Sequence, residues 1–219
     1  MNKLIVDKEL LIENFIGSVT YTNKESIINI SGHCTICDYD GNSDLIINLD
    51  ANSSLNYYRL RKNPLNTKTI INQNKNSKCI FKEAILNNIN DFNYTIDVNM
   101  DADDSSNNVY LRVVNEFGNP HIISNGNVSN NTKNNILLED LRGLNLNDNK
   151  LIIEPNMQIL SNRVEANHNV TISNVNKDDL FYLNSKAISD LEATKLLKDG
   201  FILGIFPLEI KEEIQKIID

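Results

Sequence analysis

The chain has 219 residues, 41% hydrophobic and 6% aromatic with no Trp, which is enough for one or two domains with a real core and excludes a disulfide knot, a collagen and a membrane protein. Lys and Arg number 21 against 29 Asp and Glu, a net charge of −8 with no basic run, so nucleic acid is not an expected partner. The unusual residue is Asn, present 38 times against 8 Gly and 4 Pro.

At the start, the apolar run Leu4-Ile5-Val6 is broken by Asp7, which predicts neither a signal peptide nor a membrane anchor and places the chain in the cytoplasm. Lys8 to Phe15 is the one early stretch compatible with a helix. His33-Cys34-Thr35-Ile36-Cys37 follows, a possible metal or redox pair. On a strand, however, positions 34 and 37 point to opposite faces. With Cys79 the chain has three cysteines, an odd number that reads as buried thiols in a reducing compartment.

From about Ser18 to Ile172 the signal is short period-2 alternation. Its clearest case is Thr95 to Asp101, where Ile96, Val98 and Met100 share one face while Asp97, Asn99 and Asp101 share the other. Similar runs occur at Ile27 to Ile30, Leu45 to Leu49, Tyr57 to Leu60, Val109 to Val114 and Leu151 to Ile153. Between them stand polar clusters such as Asp40-Gly41-Asn42-Ser43 and Asp101 to Asn108, a spacing that predicts an all-β domain. Sandwich, barrel and solenoid all fit. Many short strands, and an abundance of the residue that after Gly most readily turns left-handed corners, lean towards the solenoid, although no fixed period is visible.

Near the end of this region Val164, Ala166, His168, Val170 and Ile172 alternate with polar residues, so His168 shares the apolar parity of its strand. Such a His is either a core or interface residue or a metal ligand. Beyond Ile172 the pattern becomes helical. Asn176 reads as an N-cap before Asp178 and Asp179, and Ser189-Asp190-Leu191-Glu192 is a capping box opening a helix through Leu197 with Gly200 as its stop or a tight packing point. Pro207 begins a third helix with Ile210, Ile214, Ile217 and Ile218 on one side.

The stretch Pro155-Asn156-Met157-Gln158-Ile159, then Arg163 to Ile172 around His168, then Asp179-Leu180-Phe181-Tyr182-Leu183-Asn184-Ser185-Lys186-Ala187-Ile188-Ser189, Glu192-Ala193 and Gly200-Phe201, resembles the C-terminal signature of the SufB/SufD family of iron-sulfur cluster assembly proteins. In outline that family reads Pro-x-Leu-x-Ile, a His-bearing strand, Leu-Phe-Tyr-Leu-x-Ser-Arg-Gly-Ile-Ser and Glu-Ala. The resemblance implies a right-handed parallel β-helix core over 1–175 and an α-helical C-terminal domain over 176–219 that docks on a SufC-like ABC ATPase through Leu180, Phe181, Tyr182, Leu183 and Ile188. It further implies a non-catalytic scaffold on which a transient iron-sulfur cluster is assembled. The subunit pairs with itself or with a SufB/SufD-like partner, and ATP is hydrolysed only by the ATPase, in keeping with the missing phosphate-binding loop motif.

His168 falls on the family His, but Asn167 and Asn169 stand where SufB carries Glu on both sides. Counting back from Pro155 places Asp140 where SufB has its cluster-building Cys, so His168 and Asp140 are the expected metal and cluster ligands, without a persulfide acceptor. The competing expectation is a carbohydrate-binding or carbohydrate-active β-helix with an acidic cleft at Asp101 to Asp104.

Overall fold

The computed structural model describes residues 2–39, 41–89, 91–147 and 149–218. Asp40, invoked above, lies outside them. Among the described residues, fifteen strands alternate between two sheets, and all the neighbouring strands within each sheet pair in parallel. The eight-stranded sheet holds β1 (Asn2–Val6), β3 (Ile16–Tyr21), β5 (His33–Tyr39), β7 (Ser54–Lys62), β9 (Lys78–Asn87), β11 (Ser106–Asn115), β13 (Asn135–Asn145) and β15 (Val164–Asn174), in that spatial order. The seven-stranded sheet holds β2 (Glu9–Glu13), β4 (Glu25–Ser31), β6 (Asp44–Leu49), β8 (Thr67–Gln73), β10 (Asn93–Met100), β12 (His121–Val128) and β14 (Ile152–Ile159). Each coil contributes one strand to each sheet, which is a parallel β-helix.

The stretch Lys8 to Phe15, compatible with a helix by sequence, instead holds β2, because Leu10 and Ile12 turn inward on a period of two and Ile12 is buried in the core between the sheets. The alternation at Ile96, Val98 and Met100 is as expected, all three being buried. The coils lengthen along the chain. Asn2 pairs with Gly17, a coil of 15 residues, whereas Ser106 pairs with Ile136, a coil of 30. A repeat whose length doubles has no fixed period to detect.

Asn serves the two roles a solenoid needs. Among the described residues, six of the eight non-glycine residues with positive φ are Asn (14, 52, 63, 76, 131 and 134), each at a corner where the left-handed conformation costs Asn least after Gly. On the outer face of the seven-stranded sheet, Asn127 donates to Asn99, Asn99 to Asn72, Asn72 to Asn48 and Asn48 to Asn29, at 2.8–3.0 Å. This amide ladder stitches five successive coils together along the axis.

Between the sheets the core is mostly apolar and includes a charged layer. Arg59, Arg61, Glu83 and Asp38 are buried there, with Arg59 2.8 Å from Asp38 and Arg61 2.5 Å from Glu83. Tyr57 donates to Asp38 at 3.0 Å, and Tyr94 donates to Glu83 at 2.6 Å beneath the Arg61 guanidinium.

Among the described residues three helices follow: α1 (Lys177–Ser185), α2 (Asp190–Leu203) and α3 (Leu208–Ile218). The Asn176 cap and the Ser189/Glu192 capping box both form. The helix α2 runs through Gly200, where an added Cβ would meet nothing within 4 Å, so Gly200 is neither stop nor packing point, and the C-cap is Gly204. Ile202, Ile205, Phe206, Ile210 and Ile214 cover Cys37, Leu60, Ala84, Val114 and Leu144 on the outer face of the eight-stranded sheet, making a second apolar core. Thus α2 and α3 share a core with the β-helix. Among the described residues no helix is long and apolar enough to cross a membrane.

Candidate functional site

The last coil is built by β14 and β15, and its two strands end their sheets. Pro155, which has no N–H to give a further neighbour, sits in β14 at such an edge. Along β15, Val164, Ala166, His168, Val170 and Ile172 pair with Asn135, Leu137, Glu139, Leu141 and Gly143, all of which point inward and are buried. The apolar parity expected for His168 therefore holds. With no further coil to cover it, His168 is exposed.

Register settles which residues can act with it. His168 stands beside Glu139, whereas Asp140 stands beside Asn169 on the opposite face. The structure does not bring Asp140 and His168 together within one chain. Arg112 donates to one Asp140 oxygen at 2.6 Å, and Arg142 (2.9 Å) and Asn169 (3.2 Å) donate to the other. Burial pushes the Asp140 carboxyl up, but these bonds and the two guanidinium charges outweigh it and hold the group below the usual carboxylate range.

Glu139, which sequence reading passed over, is the carboxylate on the His168 side. It is 3% exposed. Ser124 of β12 donates to its Oε1 at 2.7 Å, and Oε2 has no hydrogen-bond partner. Burial raises its carboxyl above the ordinary range, against the Ser124 bond and the His168 charge. The signal that would have found it is parity: in Leu137-Leu138-Glu139-Asp140-Leu141, position 139 shares the phase of two core leucines.

Of the other candidates, Cys34 lies in the core between the sheets and Cys37 in the second core beneath the helices, the opposite faces that strand parity predicts. Burial pushes both thiols up, and that of Cys79 to about 12, so none is poised as a thiolate. The carboxylates of Asp101 to Asp104 hold a corner: Asp103 accepts from the Lys133 N–H at 3.1 Å, Asp104 from Asn134 at 2.8 Å, and Asp101 from Ser129. Among the described residues, no three His, Cys, Asp or Glu side chains converge as a metal cage. On the helices, Phe181 and Tyr182 are 76% and 62% exposed, while Leu180, Leu183 and Ile188 are half-buried. Leu191 and Leu196 add to the exposed apolar surface, and Ile188 and Leu196 line an adjoining groove of about 410 Å³.

One family model and three relatives match. The family model for the SufBD core domain of SUF-system iron-sulfur cluster assembly matches residues 62–201, more than half the chain. An iron-sulfur cluster assembly SufBD family protein of Pyrococcus horikoshii is 35% identical over 68 residues, 30% of this chain and 15% of that protein. A SufBD family protein of Synechocystis is 40% identical over 58 residues, 25% and 13% of the two lengths. The iron-sulfur cluster assembly protein SufB of Bacillus subtilis is 34% identical over 67 residues, 29% and 14%. The matched segments thus span about one seventh of those proteins.

Proposed function

Because the chain belongs to the SufBD family of the SUF iron-sulfur cluster assembly system, we propose that it is a non-catalytic scaffold subunit for cluster assembly, acting in the cytoplasm with a SufC-like ABC ATPase. The observation that carries this reading is the last coil. The family-like segment around His168 lies on a strand with one free edge, at an open end of the β-helix, where a second chain and a transient cargo both have access. An edge strand leaves N–H and C=O groups for another strand to pair with. A two-fold axis beside β15 would set its copy antiparallel and bring two His168 side chains to the same interface. Iron and sulfide are the cargo, and imidazole nitrogen suits iron.

The ATPase docks on the apolar side of α1 and α2, with Phe181 and Tyr182 as its exposed anchors and Leu180, Leu183 and Ile188 setting them in place. ATP-driven approach of two bound ATPases shifts the paired ends between two states, and so opens or closes the site to its cargo.

The test is copurification with a SUF-system ABC ATPase, followed by anaerobic addition of iron and sulfide. The complex forms and gives the visible absorption of a cluster. The double variant Phe181→Asp, Tyr182→Ser stays folded and loses the ATPase. Undiminished capture by that variant would overturn the docking surface, and a chain that neither captures the ATPase nor gains absorption would overturn the reading as a whole.

A further inference from the structure

We propose that a groove on the outer face of the seven-stranded sheet, formed by β10, β12 and β14, binds a guanidinium group. The groove has a volume of about 540 Å³, and Asp97, Asn125, Asn127, Asn156 and Gln158 are among the residues that line it. It lies on the sheet that does not carry His168, and neither the cluster nor the ATPase has a part in it.

Two amide ladders run along this face, and chemistry fixes the direction of both. The ladder from Asn127 through Asn99, Asn72 and Asn48 to Asn29 continues to Glu9, whose carboxylate accepts from Asn29 at 2.9 Å. In a shorter ladder Asn156 donates to Asn125 at 3.1 Å and Asn125 donates to Asp97 at 2.7 Å. An ionised carboxylate only accepts, so the amide beside it must turn its N–H groups that way, and each amide further along must follow to make its own bond. Glu9 and Asp97 therefore set every rung alike, N–H towards the first coil and C=O towards the last. Amides bonded in such a chain polarise one another.

Both ladders end in the groove with a carbonyl to offer. Gln158 is in register with Asn127 but does not donate to it, and β14, which bears Asn156, is the last strand of its sheet. Among the described residues nothing donates to Asn127 Oδ1 or to Asn156 Oδ1. Lys68 does not fill the gap, because its Nζ is bound to Asp97 at 2.5 Å, a pairing that also neutralises Asp97. The groove thus presents the negative ends of two aligned amide chains on neighbouring strands, and it calls for a cation with several N–H donors in one plane. A guanidinium carries five in a rigid fork and is weakly hydrated, whereas an ammonium is a compact point charge that holds its water. The net charge of −8 favours the approach of a cation.

The test is a titration of the full nitrogen-15-labelled chain with N-acetyl-arginine amide, read by NMR at the Asn side-chain amides, with circular dichroism confirming the fold of each variant. The Asn127 and Asn156 resonances shift. The citrulline counterpart, a neutral urea of the same shape, and the lysine counterpart each bind at least fivefold more weakly. Asn127→Leu and Asn156→Leu each weaken binding at least fivefold, whereas Asn167→Ala, an exposed amide on the other sheet, changes it less than twofold. Glu9→Leu, at the far end of the longer ladder, frees the direction of the rungs and weakens binding at least twofold without touching the groove. Methylguanidinium separates the two sources of the group: tighter binding than the arginine derivative assigns the groove to a free guanidino compound, and weaker binding to an arginine of a polypeptide. Equal binding of citrulline and arginine derivatives, no shift at either Asn at millimolar ligand, or tighter binding of the neutral sugar cellobiose would each overturn the assignment. Should Asn127→Leu fail to fold, Asn156→Leu at its exposed position decides: retained affinity overturns the site, and loss supports it.

Discussion

Arg59 shows how one side chain can govern the interior. Its guanidinium lies 2.8 Å from Asp38, donates to Thr69 at 3.2 Å and to the Gly41 carbonyl at 2.7 Å, and is fully buried. Burial raises the Asp38 carboxyl, with the Arg59 and Arg61 charges opposing. Removing one partner of such a pair strands the other. Arg59→Met is expected to cost about 3–5 kcal/mol by chemical denaturation at pH 8. Because a carboxyl whose folded-state affinity for the proton is raised favours the folded chain below its unfolded pKa and loses that contribution as pH rises, the deficit is expected to shrink at pH 5. Corner residues make a second test. Asn131 sits at φ 64°, so Asn131→Ala is expected to lose about 1 kcal/mol while Asn131→Gly stays within about 0.5 kcal/mol. At this scale parity was legible: it put His168 on the inward face and split Cys34 from Cys37. What parity cannot give is which strand stacks on which. Gap-free counting to Asp140 therefore landed one residue from Glu139, and one residue on a strand is the opposite face.

Among the elements, the three helices divide by what they touch. Ile214 is fully buried in the core that α2 and α3 share with the sheet, whereas Phe181 on α1 is mostly exposed. Ile214→Ala is expected to destabilise the whole chain by about 2–4 kcal/mol, and Phe181→Ala by no more than about 0.5 kcal/mol, as read by thermal or urea unfolding. The effect on ATPase capture is expected to run the other way, with the α1 substitution weakening it in a pull-down. Capping residues made all three helices readable, since Asn176, Ser189 with Glu192, and Pro207 each act within a few residues of their own position. The strand count was far less readable. Short strands such as β1 and β3 leave only two or three inward residues each, and coils that grow from 15 to 30 residues erase the periodicity by which a solenoid announces itself. The Asn content, equally compatible with a biased composition, acquires its meaning from the ladder and the corners.

For the whole molecule, the β-helix presents a different surface at each position along its axis. The interior charged layer and the amide ladder hold its coils in register, the helices at its side carry an exposed apolar surface, and the open last coil carries His168 above Glu139. The central claim is that this last coil is where cluster is assembled, and visible absorption after anaerobic reconstitution with iron and sulfide measures it most directly. In complex with the ATPase, the parent chain is expected to develop cluster absorption and His168→Ala to form the same complex without it. A His168→Ala complex that builds cluster as well as the parent would contradict the claim and move the ligands elsewhere on the chain.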